Sequence, residues 1–564
     1  MTDAQPATVA YFCMEIALRS DIPTYSGGLG VLAGDVLRAA ADAGLPMIGV
    51  TLLYRRGHFR QELDADGRQT EEPAPWEPEA VLEELPGRVT VQVEGRTVTA
   101  RAWRYSITGA SGHIVPVYLL DTGVTENSPE DRPLTDSLYG GDERYRLSQE
   151  AVLGLGGVAL MRTLGHTEIT TFHMNEGHSA LLTLALIEEG HPDGAEVWAA
   201  SEGDIERVRA VCVFTTHTPV PAGHDRFAAD LVTHVLGERR ARMALTLAGD
   251  NGMLNMTDLA LHLSRYTNAV SLRHEEVTRQ MFPHFPIASV TNGVHAATWV
   301  SDPMAELFDD HLPGWRLYNR RLLAAEDLPR ALIRNAHHAA KAELLAEVRE
   351  RASVTLNPEA LTIGFARRAT GYKRADLLFS DIERLRAIAR NVGPLQVLYA
   401  GKAHPRDYEG KAIISSIFAA ARALGDDVRV VYLEDYGMDL AKRLCAGVDL
   451  WLNTPIRPRE ASGTSGMKAA LNGVPSLSIL DGWWVEGHAE GVTGWAIGGP
   501  EEGDPAADAR SLYDKLEHVI APTFFKQPDY YAAVMRSAIA RNGSYFTGER
   551  MVTEYAREAY ELPL

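Results

Sequence analysis

Cysteine is scarce in this chain. The three present, Cys13, Cys212 and Cys445, lie far apart, each inside an apolar run. Such spacing excludes a disulfide framework and a cysteine metal cluster, and predicts buried thiols in a reducing compartment. Long apolar runs are missing too; none approaches the roughly 20 residues that span a bilayer. The opening MTDAQPATVAYF lacks the basic-then-apolar pattern of a signal peptide, so a cytoplasmic protein is expected. Basic charge is outweighed, with 55 Lys and Arg against 75 Asp and Glu and a formal charge of −20. That balance argues against nucleic acid and anionic membranes as partners, and suits an enzyme acting on a neutral polymer. No repeat at a fixed period occurs, which excludes a solenoid.

What is there points to stacked α/β units. At 564 residues the chain exceeds one core, and roughly three to four 150-residue units is the starting expectation. Short apolar runs followed by Gly, Asn, Thr or Pro turns and then helical patterns recur throughout. The first strand series is Met47–Tyr54, His113–Leu120, Ile169–Met174, Val208–Thr215 and Pro286–Thr291. The second is Leu361–Ala366, Leu395–Ala400, Val428–Leu433, Leu450–Asn453 and Pro475–Leu480. Continuous apolar runs alternating with helices indicate parallel sheets covered on both faces. The expected fold is α/β, with two doubly wound, Rossmann-like domains facing across a cleft. These span residues 1–297, with an inserted hairpin at Thr90–Tyr105, and 298–540, divided before an Asp302-Pro303 stop. A terminal helix at 541–564, with Thr547 as N-cap of Gly548–Tyr560, is expected to cross back to the first domain.

Three segments carry candidate chemistry. Glu460-Ala-Ser-Gly-Thr-Ser-Gly-Met-Lys468 follows a strand and opens a short helix. Its glycines and hydroxyls expose backbone N–H groups to an anion, and a lysine one turn in reaches back over it. Tyr25-Ser-Gly-Gly-Leu-Gly30 opens the helical run Val31–Ala43 in the same manner. Phe365-Ala-Arg367-Arg368-Ala-Thr-Gly-Tyr-Lys373-Arg374 brings four cations to the carboxyl end of a strand, a candidate phosphate clamp. A Gly-rich packing turn and a solvated charge run are the competing structural readings. Three further strand-end turns, Met174–His178, Thr215–Pro219 and Ser289–Val294, offer amide, imidazole and carboxylate groups suited to sugar hydroxyls. His173 and His178 lack the partners that a metal site requires.

Taken in order, these segments resemble the α-glucan (glycogen, starch and maltodextrin) phosphorylases, a family of retaining glycosyltransferases. The resemblance rests on Glu460–Thr464 with Met467-Lys468 and Leu471-Asn472-Gly473, on Arg368 with Tyr372–Arg374, and on Gly27–Gly30. It also rests on Thr291-Asn292-Gly293 with Trp299 seven positions past Asn292, on His217-Thr218, and on Leu433–Tyr436. It runs from about residue 11 to residue 560. It implies a two-domain fold of the GT-B type and pyridoxal phosphate bonded covalently to Lys468. Thr464, Ser465 through its backbone, and Arg367 would hold the cofactor phosphate, while Tyr436 and Trp299 line its pocket. Arg368, Lys373 and the amides near Gly28 would hold inorganic phosphate or the phosphate of glucose 1-phosphate. Glu460, Ser462, Gly463, Asn292 and His217 would contact the transferred glucose. The substrates implied are an α-glucan or maltodextrin and phosphate, with acid–base work falling to the cofactor phosphate. Relatives commonly form homodimers, though no interface is identifiable in the sequence.

Departures qualify the carry-over. Thr370 stands where many relatives have histidine, and Ser465-Gly466 replaces a commoner Gly-Asn. No counterpart of the long regulatory extension of large animal enzymes precedes the matching region, so no control by amino-terminal phosphorylation is expected. A nucleotide-sugar-dependent synthase shares the architecture, but such enzymes place a lysine before the Gly-Gly-Leu, where this chain has Tyr25-Ser26, and lack one in the place of Lys468. A phosphorylase for another α-linked glucoside and a non-catalytic glucan-binding homologue remain as alternatives.

Overall fold

The structure is a computed structural model describing residues 7–191, 198–499 and 504–563. Two large parallel sheets organise it. The first contains β1 (Val9–Phe12), β2 (Met47–Leu52), β3 (Ile114–Asp121), β4 (Thr171–Asn175), β5 (Cys212–Thr215), β6 (Tyr266–Ala269) and β7 (Ala288–Ser289). In space the order is β3-β2-β1-β4-β5-β6-β7, all parallel. The second contains β8 (Leu361–Ala366), β9 (Leu395–Ala400), β10 (Val428–Leu433), β11 (Leu450–Asn453), β12 (Ser476–Ile479) and β13 (Gly494–Ile497). Its order is β10-β9-β8-β11-β12-β13, again all parallel. Each sheet therefore grows outward one way from its first strand and then restarts on the other side. Ligands bind outside the carboxyl ends of strands at such switch points, between β1 and β4 in one sheet and β8 and β11 in the other.

The strands form where buried apolar side chains dominate. Residues Leu361–Ala366 and Leu395–Ala400 are buried throughout, as expected of strands covered on both faces. The hairpin Val89–Val93/Arg96–Thr108 extends the first sheet antiparallel to β3. Its Glu94-Gly95 turn takes positive φ at both residues (54° and 73°), the two-residue geometry that matches strand twist.

Some expectations need correcting. Val208 to Val211 end a helix, Glu202–Val211, because Ser201 and Asp204 form a capping box that starts it; only Cys212–Thr215 is strand. Pro286–Thr291 shrinks to the two-residue β7. Asp302-Pro303 opens the helix Asp302–His311 rather than stopping one, with proline in the first turn where its missing N–H costs nothing. The helix Gly28–Asp42, α1, starts before Val31.

The chain ends against its own beginning. Helix α2, Gly548–Glu554, is N-capped by Thr547, whose hydroxyl accepts from the Arg550 amide, and it packs on α1. Met551, Val552, Tyr555, Ala556, Ala559 and Tyr560 share a core cluster with Val9, Tyr11 and the α1 side chains. Tyr560 Oη bonds His173 Nδ1 (2.7 Å), and Tyr555 Oη accepts from Asn268 Nδ2 (3.0 Å). A second tie joins the halves through the ribbon Arg60–Leu63/Gln69–Glu72. From it Gln61 donates to the Gly401 carbonyl (2.9 Å) and Gln69 to that of Ala403 (2.8 Å). Among the described residues no helix is long and apolar enough to cross a membrane.

Candidate active site

A cavity of about 1240 Å³ lies between the carboxyl ends of the two sheets. The segments after β1, β4 and β5 form one wall, and those after β8, β9, β10 and β11 form the other. It draws together Gly28, His217, Asn292, Trp299, Arg367, Arg368, Lys373, Tyr436, Glu460, Ser462, Gly463, Thr464, Ser465 and Lys468. Sequence reasoning assigned these to one site from segments more than 400 residues apart (Gly28 to Lys468).

Lys468 sits in the short helix Ser465–Leu471, buried, with Nζ 3.7 Å from the centroid of the Trp299 ring. Among the described residues its ammonium has no hydrogen-bond acceptor. Burial pushes its pKa below the usual lysine value, partly offset by the Asp35 carboxylate. Trp299 is fixed in turn, since its indole N–H donates to both Asp35 oxygens (2.9 and 3.0 Å). Asn472 donates to the carbonyls of Trp299 (2.9 Å) and Lys468 (3.0 Å), locking ring and lysine into one unit. Ser465 Oγ accepts from Trp451 Nε1 (3.1 Å), so its side chain is occupied by packing. Gly466 is a packing glycine, because a Cβ there would meet the Trp483 ring at 2.7 Å. Gly463 has φ +85° and is required by the turn.

The four cations after β8 divide their tasks. Glu460 Oε2 accepts from Arg367 Nη2 (2.7 Å) and Lys373 Nζ (2.5 Å). Burial opposes ionisation of Glu460, but the charges of Arg367 and Lys373 prevail and hold its pKa below the carboxylate range. Arg367 also donates to Asn453 Oδ1 (3.0 Å), while its buried Nε lacks an acceptor among the described residues. Arg374 turns away to Asp508 (2.8 Å) and the carbonyls of Thr454 and Pro455, a structural role. Arg368 is exposed to the cavity and has no acidic partner among the described residues.

The opposite wall is held by two carboxylates, Glu176 of the Met174–His178 turn and Glu15, which sequence reasoning missed. Glu15 Oε2 accepts the amides of Ser26 (2.6 Å) and Gly27 (3.1 Å), and Tyr139 Oη donates to Glu15 Oε1 (2.8 Å). This fixes the start of α1. The amides of Gly28 and Leu29 have no acceptor among the described residues, and a Cβ at Gly28 would meet nothing within 4 Å. Glu176 accepts from the His217 amide (2.7 Å) and the Thr218 hydroxyl (3.0 Å). His217 Nε2 pairs with Asn175 Oδ1 (2.7 Å), and burial lowers its pKa to about 3, so the ring is neutral. Asn292 Oδ1 and Ser462 Oγ are buried on the lining without a partner among the described residues, the kind of orphan that a bound polar molecule satisfies. His58 and His404 flank Arg368, whose charge helps keep both neutral beyond the larger effect of burial. Glu15, Tyr139, Arg146, His404 and Asp225 carry no local motif; only the fold brings them together.

Two parallel sheets, with cations and orphaned polar groups facing one cavity at their switch points, describe a ligand-binding α/β protein with an anion site. The comparisons narrow this. The family pattern described as carbohydrate phosphorylase matches residues 18–122 and 205–493. A maltodextrin phosphorylase of Thermococcus litoralis is 38% identical over 99% of this chain and 71% of its own length. A glycogen phosphorylase of Mycobacterium tuberculosis is 36% identical over 99% and 71%. One of Aquifex aeolicus is 34% identical over 99% and 87%. The chain belongs to the carbohydrate phosphorylase family.

Proposed function

We propose that the protein is an α-1,4-glucan phosphorylase, converting terminal glucose units and inorganic phosphate into glucose 1-phosphate with retention. One observation carries this reading. Lys468 and Arg368, without an acidic partner among the described residues, border the same cavity as Asn292 Oδ1 and Ser462 Oγ, which have no hydrogen-bond partner there, so it offers separate places for anions and for sugar hydroxyls. We infer a GT-B arrangement with domains at 1–297 and 298–540 and the segment 541–564 returning to the first.

The residues present fit pyridoxal phosphate. Lys468 offers an amine of depressed pKa with no competing acceptor, Trp299 and Tyr436 offer pocket walls, and Thr464, the Ser465 amide and the free Nε of Arg367 suit its phosphate. When bound, the cofactor supplies a phosphate monoester whose second pKa, near ~6, suits proton exchange around neutrality.

The chain's own groups then have distinct tasks. Arg368, Lys373 and the Gly28 amide hold inorganic phosphate against the sugar. Its proton passes to the departing glucan oxygen as the bond from the anomeric carbon to that oxygen breaks and a bond to a phosphate oxygen forms. His217, Asn292, Glu460, Ser462 and Gly463 orient the transferred glucose. Hydrolysis by paired carboxylates is a poorer fit, since Glu15, Glu176 and Glu460 are each committed to two or more donors.

Maltooligosaccharide incubated with phosphate should release glucose 1-phosphate, and without phosphate release no glucose. Free glucose as the sole product would overturn the reading. We also propose a cytoplasmic location, with glucan and phosphate as its small-molecule partners and a homodimer as the assembly.

A further inference from the structure

Asp35 has no part in the scheme above, yet it stands one side chain away from the amine of Lys468. It lies midway along α1 and is fully buried, at 0% exposure. Both its oxygens accept the indole N–H of Trp299 (3.0 and 2.9 Å). A backbone carbonyl or a side-chain amide would satisfy that donor equally well. Taking a carboxylate out of water is costly, so a charge at this place calls for a second use.

Its basic neighbour on α1 does not supply that use. Arg38 Nη1 lies 3.7 Å from Asp35 Oδ1 and makes no hydrogen bond among the described residues. Arg38 Nη2 is turned instead to the carbonyls of Ala17 (2.9 Å) and Leu18 (2.6 Å). The contact that does lead onward from Asp35 is the Trp299 ring, over which Lys468 Nζ sits 3.7 Å from the centroid. A carboxylate on the indole N–H polarises the ring and enriches its face, which strengthens the attraction for a cation seated there.

The charge of Asp35 acts in the same direction. Burial lowers the proton affinity of Lys468, Asp35 is the first influence opposing it, Cys445 the second, and Arg38 reinforces burial. Cys445, on the helix Met438–Gly447, is a neutral thiol near neutrality, because burial pushes it up to about 12. Asp35 is therefore the one ionised acid among these groups.

We propose that Asp35 is a positioning residue for the cofactor amine: acting through Trp299, it seats Lys468 Nζ on the ring face and holds it there as a cation. The inference rests on the reading of Lys468 as the cofactor's attachment point. The line from carboxylate to indole to ammonium joins α1 of the first half to the lysine helix of the second.

Two variants of the full chain separate charge from hydrogen bonding. Asp35→Asn keeps an acceptor for the Trp299 indole and loses the charge, whereas Asp35→Ala loses both. In protein freed of cofactor, acetic anhydride labelling of Lys468, followed over pH by peptide mapping, reads the proton affinity of its amine. Both variants should move the Lys468 labelling midpoint down by about one pH unit, the effect of losing one nearby opposite charge. The exposed Lys526 should label as before and serves as the internal reference. In protein reloaded with pyridoxal phosphate, Asp35→Ala should release the cofactor about tenfold faster than Asp35→Asn, since only alanine leaves the indole N–H unheld. A Lys468 midpoint that stays put or rises in Asp35→Asn would overturn the proposal, and a purely structural Asp35 leaves it in place. Equal release rates from the two variants would equally overturn the role of the ring. Should Asp35→Ala fail to fold, Asp35→Asn decides through its labelling midpoint. If the native protein neither carries nor takes up pyridoxal phosphate, the cofactor reading fails, and the labelling midpoint still judges Asp35.

Discussion

Lys468 owes its chemistry to what surrounds it rather than to its own identity. An amine removed from water and stacked on Trp299, with no acceptor among the described residues, is held at a depressed pKa. Borohydride reduction of the holoenzyme and peptide mapping should place a pyridoxyl group on Lys468; finding it elsewhere would refute the assignment. Arg368 makes the opposite case, an open cation whose likeness to Arg367 in sequence hides a different task. Arg367 and Lys373 are tied to Glu460, while Arg368 is free to meet an incoming anion. Replacing Arg368 with alanine should cost about 2–4 kcal/mol of transition-state stabilisation, read as a fall in kcat/KM for phosphate. The glucan KM should move far less. Full activity at low phosphate would show that Arg368 is no part of the clamp.

Among the elements, the start of α1 shows how closely placed glycines divide their roles. Gly28 borders open space, whereas a Cβ at Gly30 would press on Glu15 Oε2 at 2.7 Å and Tyr25 Cβ at 2.8 Å. Gly28→Ala should therefore fold normally and raise the KM for phosphate. Gly30→Ala should lower stability by about 1–3 kcal/mol through overpacking, measured by urea unfolding. Equal effects of the two on both readouts would contradict this division.

The same scale explains what was legible beforehand. Strands β8 to β11 could be read to the residue because each is a short apolar run between turn signals. Strands β1, β6 and β13 could not. β6, Tyr-Thr-Asn-Ala, buries Thr267 and Asn268, and Asn268 bonds to Thr215 and Tyr555 across the core, so its apolar signature is missing. The segments around Lys468 and Arg367–Arg374 could be marked as candidate anion sites because glycine and cation spacing is local. Glu15, Tyr139 and Asp225 act through long-range contacts that no window of sequence contains.

For the molecule as a whole, burial of neutral imidazoles sets a pH limit. His58, His173, His178 and His217 are each held to a pKa of about 3 by burial, against an ordinary value of 6.5. Below pH 6.5 the unfolded chain takes up protons that the folded chain refuses. The stability these groups contribute is thus full above pH 6.5 and declines as pH falls towards about 3. His58→Gln should flatten the slope of unfolding free energy against pH by about one proton over that range, measured from urea midpoints. An unchanged slope would mean that His58 titrates normally.

The return of the terminal segment also acts on the whole. Met551, Val552, Tyr555 and Tyr560 are fully or nearly fully buried. At about 2 kcal/mol apiece, their loss rivals the net stability of about 5–15 kcal/mol typical of a domain. Ending the chain at Tyr545 should therefore unfold the first sheet, visible as lost protection of β1 and β4 amides in hydrogen exchange. Retained protection would show that the segment is dispensable.

That closing contact also constrains synthesis. The sheet built on residues 9 to 12 is complete only when residues 551 to 560 have emerged from the ribosome, so the amino-terminal half waits with an uncovered apolar face while the rest is translated. The packing of residues 551 to 560 on residues 9 to 12 therefore couples the folding of the first sheet to a segment more than 500 residues downstream.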